Sequence, residues 1–420
     1  MNTRKTSRIF LATIAIAAFT FSLAVRAQAQ TEKVLFNIQG GAYGAYPQSF
    51  ARDAAGNIYG ALVQGGNATC SIDCGVIFKL APNASGQNVE TILHTFTNGN
   101  DGAQPNSIVV DSSGNLFVST WAGGVTTCHQ GCGAIVELSP IHTGGWSTTV
   151  LYDFTGGPNG QKPVVTMMDP QGNLYGFEIG GSYDQIFQLS PSSSGTWTHK
   201  TIYKFLGGTD GGIGYPRFMD ANGNIFGTAG EGGNTACLGG CGLIFELSPS
   251  SSGTWTKTTI YTFAGVPDAA FPTAIVPDGA GNIFGTTGYG GAGSNSLCQE
   301  VKGCGTLYEL SPSSGGGYTE TILHSFNYAL DGNYPSSLIF DASNNLYTTL
   351  SGGGVGGRGL AEEFTLGSDG IWEYTILHAF SNNKGGGNPF ELQLDTSGDV
   401  FGITTSGGSK NFGVVFDITP

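Results

Sequence analysis

One phrase recurs seven times along this 420-residue chain: an Asp, two or three small residues, Gly-Asn, an aliphatic residue and an aromatic one, often followed by Gly. The first copy reads Asp53-Ala-Ala-Gly56-Asn57-Ile58-Tyr59-Gly60; others centre on Asn115, Asn173, Asn224 and Asn282, with weaker copies at Asn345 and Asp399. The intervals are 58, 58, 51, 58, 63 and 54 residues, a mean near 57, which is the length of a four-stranded propeller blade with its loops. One such unit cannot bury its apolar faces alone, so the repeats must stack.

Each repeat divides in the same way. Alternating apolar residues before the Asp, such as Ile108 and Val110 or Leu392 and Leu394, read as a strand, and the Asp-x-x-Gly-Asn segment as its hairpin turn. A second strand starts at residues like Leu116-Phe117 and leads through a Gly-Gly loop to a third, such as Gly242-Leu-Ile-Phe245-Glu-Leu247. A Ser/Pro/Gly turn then precedes a fourth, such as Thr258-Thr-Ile-Tyr261-Thr-Phe263. The chain opens with a fourth-strand segment, Val34-Leu35-Phe36-Asn37-Ile38, and closes with a third-strand one, Val414-Val415-Phe416-Asp417-Ile418. The expected fold is therefore all-β: a seven-bladed propeller of four antiparallel strands per blade, closed by the N-terminal strand completing the last blade. Recurring aromatics at Tyr59, Phe117, Tyr175, Phe226, Phe284, Tyr347 and Phe401, and at Phe96, Phe154, Phe205, Phe263, Phe326 and Phe380, are predicted core.

Ahead of the repeats stand basic Arg4, Lys5 and Arg8, an apolar run from Ile9 to Val25, and small residues Ala27 and Ala29. This is the pattern of a secretory leader cleaved after Ala29, leaving residues 30–420 as one propeller domain with no inserted membrane segment. Without the leader, 12 basic side chains face 30 acidic ones. So acidic a surface argues against nucleic acid and anionic membrane as partners.

Eight cysteines fall into four local pairs, Cys70/Cys74, Cys128/Cys132, Cys237/Cys241 and Cys298/Cys304, all in loops between second and third strands. Disulfides suit an exported chain, each bridge closing a small loop; thiolate zinc sites shared between neighbouring blades are the alternative. His94, His324 and His378 occupy one repeat position on outer strands where other copies have Tyr, which predicts packing between blades and no shared metal. His129, His142 and His199 read as loop or edge residues. The turn aspartates Asp53, Asp111, Asp169, Asp220, Asp278, Asp341 and Asp395 read as caps for their own hairpins, because chemistry does not need seven copies of one acid.

A further phrase, Asp or Asn-Gly-x-x-Pro, precedes each first strand, as in Asp101 with Pro105, Asn159 with Pro163 and Asp331 with Pro335. It lies on the same face as the cysteine loops, and a ligand site there would be built from residues that break the symmetry. The candidates are Trp121, Glu178, Glu231, Tyr289 and Glu363, the last read as standing where other third strands have Ile77, Ile135 or Ile244.

The combination of Gly-Asn-(Ile/Leu)-(Tyr/Phe)-Gly, a Gly-Gly loop, Cys-Gly-x-(Ile/Leu)-(Phe/Tyr)-Glu-Leu-Ser-Pro and Thr-Ile-(Leu/Tyr)-(His/Tyr)-x-Phe resembles the Gloeo-Verruco (GloVer) tandem repeat of exported bacterial proteins, over essentially residues 33–420. The resemblance implies location outside the cytoplasm, secreted or periplasmic, and brings no catalytic residues with it. The chain shows no phosphate loop, nucleophile–base pair or histidine cluster, and no cofactor is expected. The leading expectation is a non-enzymatic scaffold that binds a glycan or a protein through its loop face. Its rivals are a polysaccharide hydrolase or lyase with carboxylates at the channel mouth, and a purely structural surface or adhesion module.

Overall fold

A computed structural model describes residues 31–66, 70, 73–292, 298, 303–381 and 384–420; the leader lies outside them. Seven antiparallel sheets follow one another along the chain, each running from an inner first strand to an outer fourth. Blade 1 comprises Ala45–Arg52, Ile58–Gln64, Val76–Pro82 and Asn88–Thr95. Blades 2 to 6 start at Ala103, Gln161, Gly214, Ala269 and Asn333, and blade 7 at Gly387. In blade 6 the inner strand is split into Asn333–Pro335 and Ile339–Phe340. Helical structure is confined to single turns such as the 3-10 turn Gly41–Tyr43 among the described residues, as the abundance of glycine leads one to expect.

Closure is non-covalent. Thr31–Asn37 pairs antiparallel with Val414–Thr419 as the outer strand of blade 7, placing Val34 opposite Phe416 and Phe36 opposite Val415. The Ile38 amide donates to Gly413 O, as the Phe96 amide does to Gly75 O in blade 1. On the inner side of the seam the Phe50 amide donates to Glu391 Oε2 (2.9 Å) and Gln393 Nε2 to Phe50 O (3.1 Å). The Arg52 guanidinium lies over the Phe401 ring at 3.6 Å and 3.8 Å from Asp395.

Within the blades, packing rests on a glycine in the second strand facing an aromatic in the third. Phe78 covers Gly60, Phe187 Gly176, Phe245 Gly227, Tyr308 Gly285 and Phe416 Gly402; a Cβ on any of these glycines would enter the ring. Where the glycine is absent the ring is absent too: Val118 faces Val136, and Thr348 faces Glu362. Between blades, tryptophans at the start of outer strands meet the second-strand aromatic of the preceding blade: Trp146 on Tyr59, Trp197 on Phe117, Trp255 on Tyr175 and Trp372 on Phe284, with ring centres 5.7 to 6.3 Å apart. The turn aspartates cap as expected: Asp53 Oδ1 accepts from the amides of Ala55 and Asn57, and its Oδ2 from Asn57 Nδ2, a pattern repeated at Asp111, Asp169, Asp220, Asp278 and Asp341.

The cysteines pair as expected, in the loops between second and third strands, and the structure adds where their sulfurs lie. They are paired as Cys70–Cys74, Cys128–Cys132, Cys237–Cys241 and Cys298–Cys304, and the second member of each pair is buried in the core. Cys132 shows the reason. It is fully buried and packs with Phe117, Ile135, Phe154 and Phe187 in the cluster between blades 2 and 3. Its amide donates to Val125 O (3.1 Å), its carbonyl accepts from the Lys162 amide of the next blade (2.8 Å), and the Thr127 hydroxyl lies 3.2 Å from its sulfur. Cys74 and Cys241 occupy the equivalent positions, their carbonyls accepting from the Gln104 and Phe271 amides. Each disulfide therefore ties a surface loop down onto the interblade core, a setting that suits an apolar sulfur.

Outer strands also meet at one repeated position, with different chemistry at each joint. His94 bonds Thr148 (3.1 Å), Tyr152 stacks on His199 (4.9 Å), Tyr261 donates to Glu320 (3.0 Å), His324 packs on Tyr374 (5.0 Å), and His378 stands 4.0 Å from Glu32. Lys257 reaches Asp210 at 2.9 Å, while Tyr203 donates to the same carboxylate at 2.6 Å. His94 and His324 also hold the acids of their own Asp-Gly loops, Asp101 and Asp331, at 3.1 and 2.7 Å. Glu90 holds this position in blade 1, where the preceding outer strand supplies Phe36, and one of its carboxylate oxygens is buried without a hydrogen bond.

Two outcomes are expected. Truncating fully buried Phe416 to Ala, with Gly402 left uncovered, should cost about 3–5 kcal/mol in urea unfolding, against less than about 3 kcal/mol for replacing both Cys128 and Cys132 by serine. Burial pushes Glu90 up to about 7, and burial with the nearby Asp268 carboxylate pushes Glu320 up to about 8. The folded state thus binds these protons more tightly than the unfolded chain, whose glutamates titrate near ~4.3. Their stabilisation is complete at low pH and lost as pH rises to 8. Asp101, Asp210 and Asp220 act oppositely: burial raises them, but hydrogen bonds bring them below the usual value, and their contribution is lost in stronger acid. The melting temperature should therefore fall between pH 5 and pH 8, and Glu320→Gln should flatten that slope.

Candidate functional site

In five blades the second-to-third-strand loop is tied to the link that enters the same blade: Gly66 N donates to Gly41 O, Gly124 N to Gly99 O, Gly233 N to Gly208 O, Gly291 N to Asp268 O and Gly354 N to Tyr328 O. Both loop sets thus share one face, as the sequence implies. The four cysteine pairs on it are closed as disulfides, so their sulfurs are not available as thiolate ligands for zinc.

Where the chain turns from this face into the inner strands, the residue before the leading proline has positive φ in six blades: Tyr46, Gln104, Lys162, Phe271, Tyr334 and Asn388, at 52° to 58°. A left-handed backbone costs a residue with a Cβ about 1–2 kcal/mol. It is held by a bond from that residue's amide to the preceding blade's loop, as Gln104 N to Cys74 O, Lys162 N to Cys132 O, Phe271 N to Cys241 O and Tyr334 N to Cys304 O. Six side chains are thereby set at one height around the channel mouth, and their identities differ. Phe271 and Tyr334 flank Tyr289, at 5.1 and 4.9 Å between ring centres, forming an aromatic arc over blades 5 and 6. Tyr46 meets Phe412 across the seam at 5.9 Å.

Blade 3 lowers the rim. Its second strand ends at Ile179 and its third starts at Asp184, with a short link and no disulfide. Asp184 takes the place that Gly75, Gly133, Gly242, Gly305, Gly359 and Gly413 hold elsewhere, and its carbonyl accepts from the Phe205 amide as those glycines do for their counterparts. Gly212 joins it to Glu231 of blade 4: Gly212 O accepts from Asp184 N (3.4 Å), and Gly212 N donates to Glu231 O (3.2 Å). Burial, and then the like charge of Glu231, push the Asp184 carboxyl up to about 6. Two half-buried acids of neighbouring blades thus meet on the loop face.

The five residues singled out from sequence do not form one cluster. Trp121, Glu231 and Tyr289 lie at loop-face ends of second strands, on blades 2, 4 and 5. Glu178 is fully buried; it accepts from Gln185 Nε2 (2.9 Å), and both its oxygens lie 3.1 Å from His199 Nε2. Burial raises its carboxyl, and the bonds from His199 and Gln185 oppose the rise. His199, read from sequence as a loop or edge residue, is a nearly buried member of an interblade stack. Glu363 requires a correction of register. Tyr347 pairs with Glu363 as Tyr59 pairs with Lys79, so Glu363 stands where other blades have Lys79, Glu137 or Glu246, and it accepts from the Tyr347 hydroxyl at 2.9 Å. The residue that breaks the pattern is its neighbour Glu362, on the aromatic position. Its two oxygens are buried without hydrogen bonds, and burial, then Asp331, push its carboxyl well above the ordinary value.

Sequence reasoning missed Asp184, Phe271 and Tyr334. The signal for Asp184 was a missing glycine before the third strand, and for the two rings their place one residue before the inner-strand proline. Two grooves lie elsewhere: about 590 Å³ between blades 2 and 3 on the hairpin face, beside Phe117, Asp169 and Trp197, and about 820 Å³ at the seam beside Glu32 and His378. In the first, Asp111 and Asp169 are already engaged by Asn115 and Asn173.

No helix of the described residues is long and apolar enough to cross a membrane. Among solved structures, a streptogramin B lyase is similar at TM-score 0.53 and 12% identity, over 93% of this chain and 97% of the other. A PQQ-bound aldose sugar dehydrogenase from Streptomyces coelicolor is similar at TM-score 0.45 and 10% identity, over 93% and 98%. The likeness to the first is one of fold alone. No curated protein sequence matches the chain. The Gloeobacter/Verrucomicrobia repeat matches residues 46–298, more than half of the length, in agreement with the wheel of repeats and its Asp-capped hairpins, and the chain belongs to that repeat family.

Proposed function

We propose that this chain is an exported propeller that binds a glycan on its loop face. One observation carries the reading. Of five exposed Phe, Tyr and Trp side chains among the described residues, four lie on that face: Tyr43, Tyr46, Trp121 and Tyr183. The arc of Phe271, Tyr289 and Tyr334 adds to them. Aromatic faces offer broad apolar contact to the C–H face of a pyranose, and Asp184 and Glu231 supply acceptors for its hydroxyls. Export rests on the leader pattern, and the four disulfides suit an oxidising compartment.

A second reading, hydrolysis at the mouth, is favoured by the acid pair. An Asp raised to about 6 beside a second carboxyl can hold a proton near neutrality for a leaving group. A glycan array followed by titration calorimetry tests the first reading: Trp121→Ala and Tyr289→Ala should each weaken binding about tenfold, equivalent to about 1.4 kcal/mol. A blank array, or affinities untouched by both substitutions, would remove the binding reading. Turnover in a substrate screen that Asp184→Asn abolishes would replace it with the second.

A further inference from the structure

The inner strands carry a bulge whose position differs between blades. In blades 1, 2, 5 and 7 the register shifts just after the leading proline, between Pro47 and Ser49, Pro105 and Ser107, Pro272 and Ala274, and Pro389 and Glu391. In blades 3 and 4 a shift comes later in the strand, between Val165 and Met167 and between Pro216 and Phe218, and in blade 4 it leaves Arg217 as the unpaired residue. A bulge re-aims the side chain it carries. Arg217 is exposed, and the solvent that reaches the middle of an innermost strand is the water of the central channel.

Its guanidinium is poorly satisfied. Nε makes one long bond to Thr228 Oγ1 (3.4 Å), and the Tyr215 ring lies 5.1 Å away. Among the described residues no carboxylate comes within ion-pair distance of it, as holds for every described Lys and Arg except Arg52 and Lys257. The surrounding protein lowers its pKa, so the charge is held where water compensates it incompletely. Across the blade interface the Tyr308 hydroxyl is buried with no hydrogen-bond partner. An exposed guanidinium with one long hydrogen bond and no ion pair has donors to offer a ligand anion.

We propose that Arg217 receives a ligand carboxylate inside the channel, so that the glycan held at the mouth carries an acidic sugar. The proposal rests on the glycan reading and narrows it. The planar fork of the guanidinium matches a carboxylate in two parallel bonds. The acidic exterior repels a densely charged polymer, so the fit is to an oligosaccharide with one uronic acid. Tyr215, whose ring lies 5.1 Å from the Arg217 guanidinium, packs edge-on against Phe177 of blade 3 at 4.2 Å, on the blade that carries Asp184.

The test titrates the mature protein at low salt with an oligosaccharide bearing one glucuronate, its methyl ester, and a singly sulfated neutral analogue. The acid should bind at least tenfold tighter than the ester; Arg217→Met should abolish the difference and Arg217→Lys should keep part of it. Equal binding of acid and ester, a preference that survives in Arg217→Met, or a preference for the sulfate would overturn the assignment while leaving the glycan reading in place. If no oligosaccharide binds, the glycan reading fails, and acetate then reports on the receptor alone. Acetate should raise the melting temperature of the wild type above that of Arg217→Met and Arg217→Gln, and an equal response in all three would dismiss the anion site.

Discussion

The pairing of the first strand with the last turns a string of sheets into a wheel. Every other blade is covalently continuous from inner to outer strand, whereas blade 7 is assembled from the two ends of the described chain and held by backbone bonds, by Phe416 nested on Gly402, and by Arg52 sandwiched between Phe401 and Asp395. Without it, the last sheet would expose an unpaired edge, and the first blade would lose the partner for the Phe50 amide. The channel, its mouth and both loop sets exist as a surface only because this joint holds.

Much of the wheel is legible in the residues themselves, because it is made of repeated local devices. The Asp-x-x-Gly-Asn hairpin, the outer-strand Phe and the Gly–aromatic nest each recur, and a recurring residue declares a structural role. What escapes is what depends on register or on the neighbouring blade. Glu362 and Glu363 are adjacent, and a slip of one residue exchanges a buried core position for a half-buried one; only the strand pairing settles which of them departs from the pattern. The pairing of Cys128 with Cys132 is plain from spacing, yet the burial of Cys132 against Phe154 and Phe187 is not, because Phe187 belongs to the next repeat. The tryptophans that join blade to blade stand out little in sequence for the same reason.

The mouth is less legible still. Tyr289 and Glu231 are visible as departures from symmetry, but their companions Tyr334 and Asp184 belong to neighbouring blades, and no spacing along the chain connects them. Arg217 is hidden further. Nothing in Tyr-Pro-Arg-Phe-Met announces that the extra residue of the strand has moved, and it is that shift which leaves Arg217 outside the strand pairing.

The outer joints have a consequence for how seven nearly interchangeable sheets find their order. Since each pair of neighbours meets through its own chemistry, hydroxyl to imidazole, imidazole on phenol, ammonium to carboxylate, phenol to carboxylate, a sheet docked one place out would part the Lys257 ammonium from Asp210 and the Tyr261 hydroxyl from Glu320. The circumference therefore works as a set of keyed couplings. It lets a repetitive chain reject shuffled or intermolecular assemblies that its uniform interior would tolerate.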